Sequence, residues 1–178
     1  MAYAGFKINM RVLGIDPGSR ITGYGIVENT SSGLLHIENG NIETSRKLPL
    51  AMRLNEIFIG INRVIERFKP DELAIEDVFV AKNVRSSLLL GHARGTAMVA
   101  ASSSNIEVAE YTPSEIKQAL VGNGSATKEQ IQLMVKIMLG LPEVACEDAS
   151  DALAVAICHL NCKSLNDRIK AASREHST

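Results

Sequence analysis

The spacing of the apolar residues changes near residue 50, and this change constrains the fold more than any other feature of the chain. Before it, residues 12–15, 22–28 and 34–42 form short runs bordered by turn-forming residues, which is typical of β-strands. After it, apolar residues recur at three- and four-residue steps between residues 54 and 68, which indicates an amphipathic helix. The chain is therefore predicted to open with an antiparallel meander that a helix then covers.

The rest of the chain alternates between strands and helices. Strands are predicted over 72–78 and 106–111, with a helix between them. Thr112 and Thr127 each precede a glutamate or glutamine by three residues, which is the capping-box signal of a helix start, and a last helix is predicted over 148–161. Because a helix that crosses between two strands makes them parallel, this order predicts an α/β fold with a mixed five-stranded sheet.

Size and composition indicate one globular domain. The 178 residues suit a single full core, and no apolar stretch is long enough to span a bilayer. The three cysteines form no CxxC pair, which favours reduced thiols in a cytoplasmic protein. Met10 directly precedes the first strand and can serve as the natural start. We therefore expect a non-native N-terminal extension over 1–9, a folded domain over 10–162 and a polar, frayed tail over 163–178.

Four acidic residues stand where a carboxylate needs a partner. Asp16 and Glu76 each end an apolar run, and Asp148 and Asp151 share one face of the last predicted helix. Carboxylates that converge beside a core repel one another, and bound cations would stabilise them. Oxygen ligands favour Mg²⁺ or Mn²⁺ over zinc. The pattern therefore points to phosphate chemistry assisted by two metal ions.

Each of these acids also has a simpler interpretation. Asp16 precedes a Pro-Gly pair and can be a turn residue, while Glu76 can be a charged strand end. Asp148 and Asp151 can be helix-start residues that the helix dipole favours. From the residues alone, both interpretations stay open.

One aromatic and several basic residues are candidates for contacts with nucleic acid. Phe79 follows the fourth predicted strand, where it can either cap the core or stack against an unpaired base. Lys82 and Arg85 flank it, and Lys117 comes later. Surface lysines are usually only solvated. Lys128, however, lies in the first turn of a predicted helix, where its charge opposes the helix dipole, and a nearby phosphate would remove that conflict.

Several motifs along the chain resemble those of the RuvC family, the bacterial Holliday junction resolvases. They are GIDPGSR at 14–20 with TGYG at 22–25, AIEDVF at 74–79 with AKN at 81–83, LGHARG at 90–95, KQALVGNG at 117–124 and DASDALA at 148–154. The first motif alone is shared with many ribonuclease H-like and actin-like proteins. The whole set, in this order and at this spacing, is specific to the family.

The resemblance implies a role for each candidate residue. It makes four residues the catalytic, metal-binding carboxylates: Asp16, Glu76, Asp148 and Asp151. It assigns DNA contacts to Phe79, Lys117 and Lys128, and the flanking Lys82 and Arg85 are predicted to contact DNA as well. Two Mg²⁺ ions per subunit, or Mn²⁺, are expected from the family, and hydrolysis would leave 5′-phosphate and 3′-hydroxyl ends.

The resemblance also implies the fold and the partners. The fold would be ribonuclease H-like, with helices on both faces of the sheet. The substrate would be four-way junction DNA, which the enzyme cuts by paired, symmetric nicks during homologous recombination and DNA repair. A two-fold homodimer, formed around the helix that carries Gly91 and Gly95, would supply the two active sites. The branch-migration proteins RuvA and RuvB would be its partners in the bacterial cytoplasm.

Three other functions compete with this one. An actin-like ATPase needs a second, similar domain, for which 178 residues leave no room. A ribonuclease H-like nuclease that acts on RNA–DNA hybrids would share the four carboxylates, although the segment from Phe79 to Lys82 fits a junction resolvase better. A non-catalytic junction-binding protein would gain nothing from four negative charges beside phosphate.

Overall fold

The structure is a computed structural model that describes residues 9–77 and 84–175. Its elements follow in the order β1 (Met10–Asp16), β2 (Ile21–Thr30), β3 (Gly33–Glu43), α1 (Leu50–Phe68), β4 (Glu72–Glu76), α2 (Val84–Ser103), β5 (Glu107–Tyr111), α3 (Pro113–Val121), α4 (Lys128–Leu139) and α5 (Glu147–Glu175). No helix within these residues is both apolar and long enough to cross a bilayer.

The five strands form one mixed sheet in the order β3-β2-β1-β4-β5. β1, β2 and β3 pair antiparallel as a meander, whereas β4 runs parallel to both β1 and β5. The predicted mixed five-stranded sheet is confirmed. The parallel pairs arise because α1 and α2 each carry the chain back across the sheet before the next strand begins.

Helices cover both faces of the sheet, as the resemblance implied. Side chains in a strand alternate between faces. Val12 packs in the core beneath α3, α4 and α5, while its neighbours Leu13 and Ile15 pack against α1 and α2. The even-numbered positions of β1 therefore face α5, and Asp16 is the last of them.

α5 lies unusually close to β1 and β2 because glycines face it. A Cβ built on Gly14 would stand 2.0 Å from the carbonyl oxygen of Ala152, and one built on Gly23 would stand 2.1 Å from that of Asp148. Non-bonded heavy atoms need well over 3 Å, so only glycine fits at these two positions. This close packing places the start of α5 directly over the end of β1 and the start of β2.

The local helix signals were correct, but the end of the last helix was not. Thr112 and Thr127 both form complete capping boxes, as predicted. α5 continues to Glu175 instead of ending near residue 161, so the predicted frayed tail is helical within the described residues. Residues 162–175 contain neither glycine nor proline, and a polar sequence without a breaker can extend a helix.

Candidate active site

Two of the four predicted acids end neighbouring parallel strands. The last registered pair of β1 and β4 is Ile15 with Ile75, so Asp16 and Glu76 follow one residue later on adjacent strands. Side chains two residues apart in a strand lie on the same face of the sheet. Asp16 therefore shares the face of Gly14, and Glu76 shares that of Ala74, and α5 covers this face. The strand ends therefore bring Asp16 and Glu76 together, and both are half-buried.

The other two acids come from the first turns of α5. Gly23 pairs with Asp16 across β1 and β2, and it also contacts the main chain of Asp148. The start of α5 therefore lies beside Asp16. Asp148 lines a groove with the turn after β1, whereas Asp151 lines a pocket with Glu76. The two helical acids thus line different depressions of the surface.

The pKa values show that these carboxylates share one electrostatic environment. Burial and then the charges of Asp151, Glu76 and Asp148 raise the pKa of Asp16 to about 8, while the charge of Lys128 opposes this rise. Burial and then the charge of Asp151 also raise the pKa of Glu76. The four carboxyl groups destabilise one another when they are ionised, so this edge of the sheet attracts cations.

The chemistry of the four acids fits hard divalent cations, although their side chains are not arranged as a closed cage. Oxygen donors from aspartate and glutamate are those that Mg²⁺ and Mn²⁺ prefer. Among residues 9–77 and 84–175, no three acidic, histidine or cysteine side chains already form a group that could hold one ion. Asp151 instead contacts the ammonium of Lys128 at 2.8 Å.

Two predicted lysines lie beside the acids. Lys117 and Lys128 line a pocket of about 280 Å³ together with Glu76 and Asp151, and the rest of its wall is apolar. Burial alone would lower the pKa of Lys128, but hydrogen bonds to Asp151 and Glu147 outweigh it and raise the pKa. Lys128 is therefore cationic at the pocket, where the ammonium groups of both lysines can bind phosphate oxygens.

The turn after β1 is held by a residue that our sequence interpretation missed. Arg53, in the first turns of α1, donates from its guanidinium to the carbonyl oxygen of Ser19 and, at 2.8 Å, to the Ser19 hydroxyl. The hydroxyl of Thr44 donates to the same carbonyl at 2.9 Å. A basic residue near a helix start, where the dipole disfavours it, is the signal that identified Lys128, and it could have identified Arg53.

Of the remaining predicted DNA contacts, only Arg85 lies within residues 9–77 and 84–175. Arg85 is exposed near the start of α2, and the neighbouring Ser86 lines the groove that also contains Asp148. Phe79 and Lys82 lie outside the described residues. Arg94 of α2 donates to the carbonyl oxygen of Glu76 at 3.2 Å.

Comparisons with known proteins agree on one family. The family model described as crossover junction endodeoxyribonuclease RuvC matches residues 12–159. The protein of that name from Syntrophotalea carbinolica is 58% identical over 158 residues, which are 89% of this chain and 98% of the relative. The one from Geobacter sulfurreducens is 57% identical over 152 residues, which are 85% of this chain and 93% of the relative.

Solved structures give the same result for the fold. The structure of Thermus thermophilus RuvC in complex with Holliday junction substrate matches with a TM-score of 0.84 at 33% identity, over 89% of this chain and 97% of that chain. The yeast mitochondrial Holliday junction resolvase Ydc2 shares the fold at 14% identity, with a TM-score of 0.70 over 98% of this chain and 87% of that chain. The predicted ribonuclease H-like fold is confirmed. The chain belongs to the RuvC family of crossover junction endodeoxyribonucleases.

Proposed function

We propose that this protein cuts four-way DNA junctions by hydrolysing one phosphodiester bond in each of two symmetry-related strands. The observation that carries this proposal is the edge of the sheet where Asp16, Glu76, Asp148 and Asp151 share one electrostatic environment beside Lys117 and Lys128. Acids that bind metal and lysines that bind phosphate are the combination that phosphodiester hydrolysis needs.

We assign the four carboxylates to divalent metal, with two Mg²⁺ ions per subunit and Mn²⁺ as a substitute. When bound, such ions lower the pKa of a water molecule and stabilise the leaving 3′ oxygen. Asp16 experiences the charge of all three other acids, so it gains most from nearby cations. Lys117 and Lys128 would bind non-bridging phosphate oxygens and hold the scissile bond at the pocket.

We assign the remaining DNA contacts to the two sides of this edge. Phe79, just after β4, would stack against an unpaired base at the junction centre, and Lys82 and Arg85 would bind the backbone nearby. Ser19 and Arg20 belong to the groove that contains Asp148, which supports a backbone contact there as well. The structure of the T. thermophilus relative with junction DNA supports the choice of substrate.

We propose that the protein acts as a two-fold homodimer, because a junction has two equivalent strands to cut. Among residues 9–77 and 84–175, nothing lies within 4 Å of a Cβ built on Gly91 or Gly95 of α2, so packing against this part of the chain does not explain these glycines. Exposed Leu88 and Val99 lie on the same helix. These features support a contact between α2 helices. Cooperation with RuvA and RuvB in the cytoplasm is proposed from the family resemblance.

Incubating the protein with a synthetic four-way junction tests the proposal. We expect paired nicks with 5′-phosphate ends in the presence of Mg²⁺ and none after chelation. Linear duplex and an RNA–DNA hybrid of the same sequence serve as controls. Preferred cutting of the hybrid would indicate another ribonuclease H-like nuclease, and tight binding without cutting would indicate a non-catalytic junction-binding protein.

A further inference from the structure

The ammonium of Lys128 lies between two carboxylates of α5. Its Nζ atom is 2.6 Å from Oε1 of Glu147 and 2.8 Å from Oδ2 of Asp151. Glu147 and Asp151 are four residues apart, so they lie one turn apart on the same face of the helix. Two carboxylates of one helix each accept a hydrogen bond from Lys128 and together hold its ammonium in place.

Glu147 is the partner in this arrangement that has no assigned role. It directly precedes the DASDALA motif and is not part of it. Its side chain is 68% exposed, whereas that of Asp151 is 28% exposed. An ion pair this open to water contributes little to folding stability. Its effect is therefore expected mainly in the position of Lys128.

We propose that Glu147 is a positioning residue that keeps the ammonium of Lys128 at the mouth of the pocket containing Glu76 and Lys117. This inference rests on the proposed nuclease function. Asp151 is also assigned to metal, so Lys128 cannot depend on Asp151 alone for its position. Glu147 is the first residue of α5 and accepts a second hydrogen bond from Lys128, which leaves the third ammonium proton free for a phosphate oxygen.

The charge of Glu147 alone has a different consequence from its contact with Lys128. A negative charge near the DNA path weakens binding of the phosphate backbone wherever it stands on that surface. Removing it should therefore tighten junction binding, as should removal of the exposed Glu143 nearby. Only loss of the contact with Lys128 should slow the cleavage step. The two effects have opposite signs, so one set of variants separates them.

The test compares the cleavage step in Glu147→Gln, Glu147→Asp, Glu143→Gln and Lys128→Ala. Single-turnover cleavage of a saturating four-way junction in Mg²⁺ gives the rate of the chemical step, and a binding titration with Ca²⁺ gives the affinity. We expect Glu147→Gln to lower the cleavage rate about tenfold without weakening binding. Glu147→Asp should restore part of the rate, and Glu143→Gln should cleave at the rate of the unaltered protein.

The double variant Glu147→Gln/Lys128→Ala completes the test. If Glu147 acts through Lys128, the double variant cleaves at the rate of Lys128→Ala alone, because the contact is already lost. Independent, multiplicative effects would overturn the proposal, and so would a cleavage rate for Glu147→Gln equal to that of Glu143→Gln. Failure of the unaltered protein to cut junctions would instead refute the proposed function, so the two failures are distinguishable.

Discussion

The carbonyl oxygen of Asp148 lies so close to Gly23 that a Cβ on this glycine would stand only 2.1 Å from it. The nearest obstacle is main chain, which cannot rotate away as a side chain can. We expect Gly23→Ala to push the start of α5 off the sheet, with a loss of about 2–4 kcal/mol in the free energy of unfolding. Junction cleavage should fall further than stability, because Asp148 and Asp151 move with the helix. Chemical denaturation and a cleavage assay check this prediction.

Gly40→Ala in β3 is the matched control for this substitution. A Cβ at Gly40 would meet the end of the Tyr24 side chain, whose hydroxyl would be 2.8 Å away. A side chain of this kind can shift, so the control should cost less stability and retain cleavage. Equal losses in the two variants would show that close packing of α5 is not the reason for glycine at position 23.

Neutralising Asp16 should separate DNA binding from DNA cutting. We expect Asp16→Asn to abolish cleavage and to leave junction binding intact or slightly tighter, because one fewer negative charge faces the phosphates. Without divalent ions, the variant should also melt at a temperature a few degrees higher, since the folded state no longer buries an ionisable carboxyl group beside three other acids. Cleavage, binding and thermal melting measured side by side check this, and retained cutting would refute the assigned role.

The guanidinium of Arg53 should matter for the site even though it does not touch the acids. We expect Arg53→Ala to reduce cleavage roughly ten- to hundredfold, because the turn that follows Asp16 loses its anchor at Ser19. Arg53→Lys should recover only part of the rate, since lysine cannot present the two-pronged donor. Arg46→Ala, in the exposed connection before α1, is the charge-matched control. Steady-state cleavage of a junction by all three variants provides the measurement.

Burial of His159 should make stability depend on pH. Its pKa is lowered from the ordinary value of 6.5 by burial, against the opposing hydrogen bond to Glu72. The unfolded chain therefore binds the proton more readily, and the stability contributed by His159 is lost as the pH falls below 6.5. We expect the stability advantage of the unaltered protein over His159→Gln to shrink between pH 7.5 and pH 5. Denaturation at both pH values checks this, and an advantage that grows on acidification would contradict it.

Replacing Phe79 tests its assignment to the DNA. We expect Phe79→Ala to slow junction cleavage by about one to two orders of magnitude while changing the melting temperature little, because a stacking platform is needed only when DNA is bound. Phe79→Trp should retain most of the activity. A large loss of thermal stability in Phe79→Ala would instead assign this residue to the core. Melting curves and cleavage rates of the same preparations distinguish these outcomes.

The features predicted most accurately from the sequence depend on neighbours in the chain. The capping boxes at Thr112 and Thr127 involve residues only three positions apart, and both form as predicted. The contact between Lys128 and Glu147 was not predicted, because it depends on how α4 packs against α5. The role of Gly23 was also missed, since its obstacle at Asp148 is distant in sequence. Contacts between residues that are distant in the sequence therefore could not be predicted from local patterns.

The end of α5 shows a second limit of sequence patterns. Residues after 161 are mostly polar, and a polar chain end predicts fraying. Helix propensity alone continues the element to Glu175. The candidate acids, by contrast, were identified together only through the family motifs, because each alone fits a turn, a strand end or a helix start equally well.

The attachment of α5 to β1 and β2 has a consequence for when the protein becomes able to cut DNA. The residues of β1 to β5 all precede Glu147 in the chain, so a ribosome synthesises every one of these strands before it adds Asp148 and Asp151. A chain that stops earlier carries only half of the proposed metal ligands. We therefore expect translation products that end before Asp148 to be unable to cut DNA.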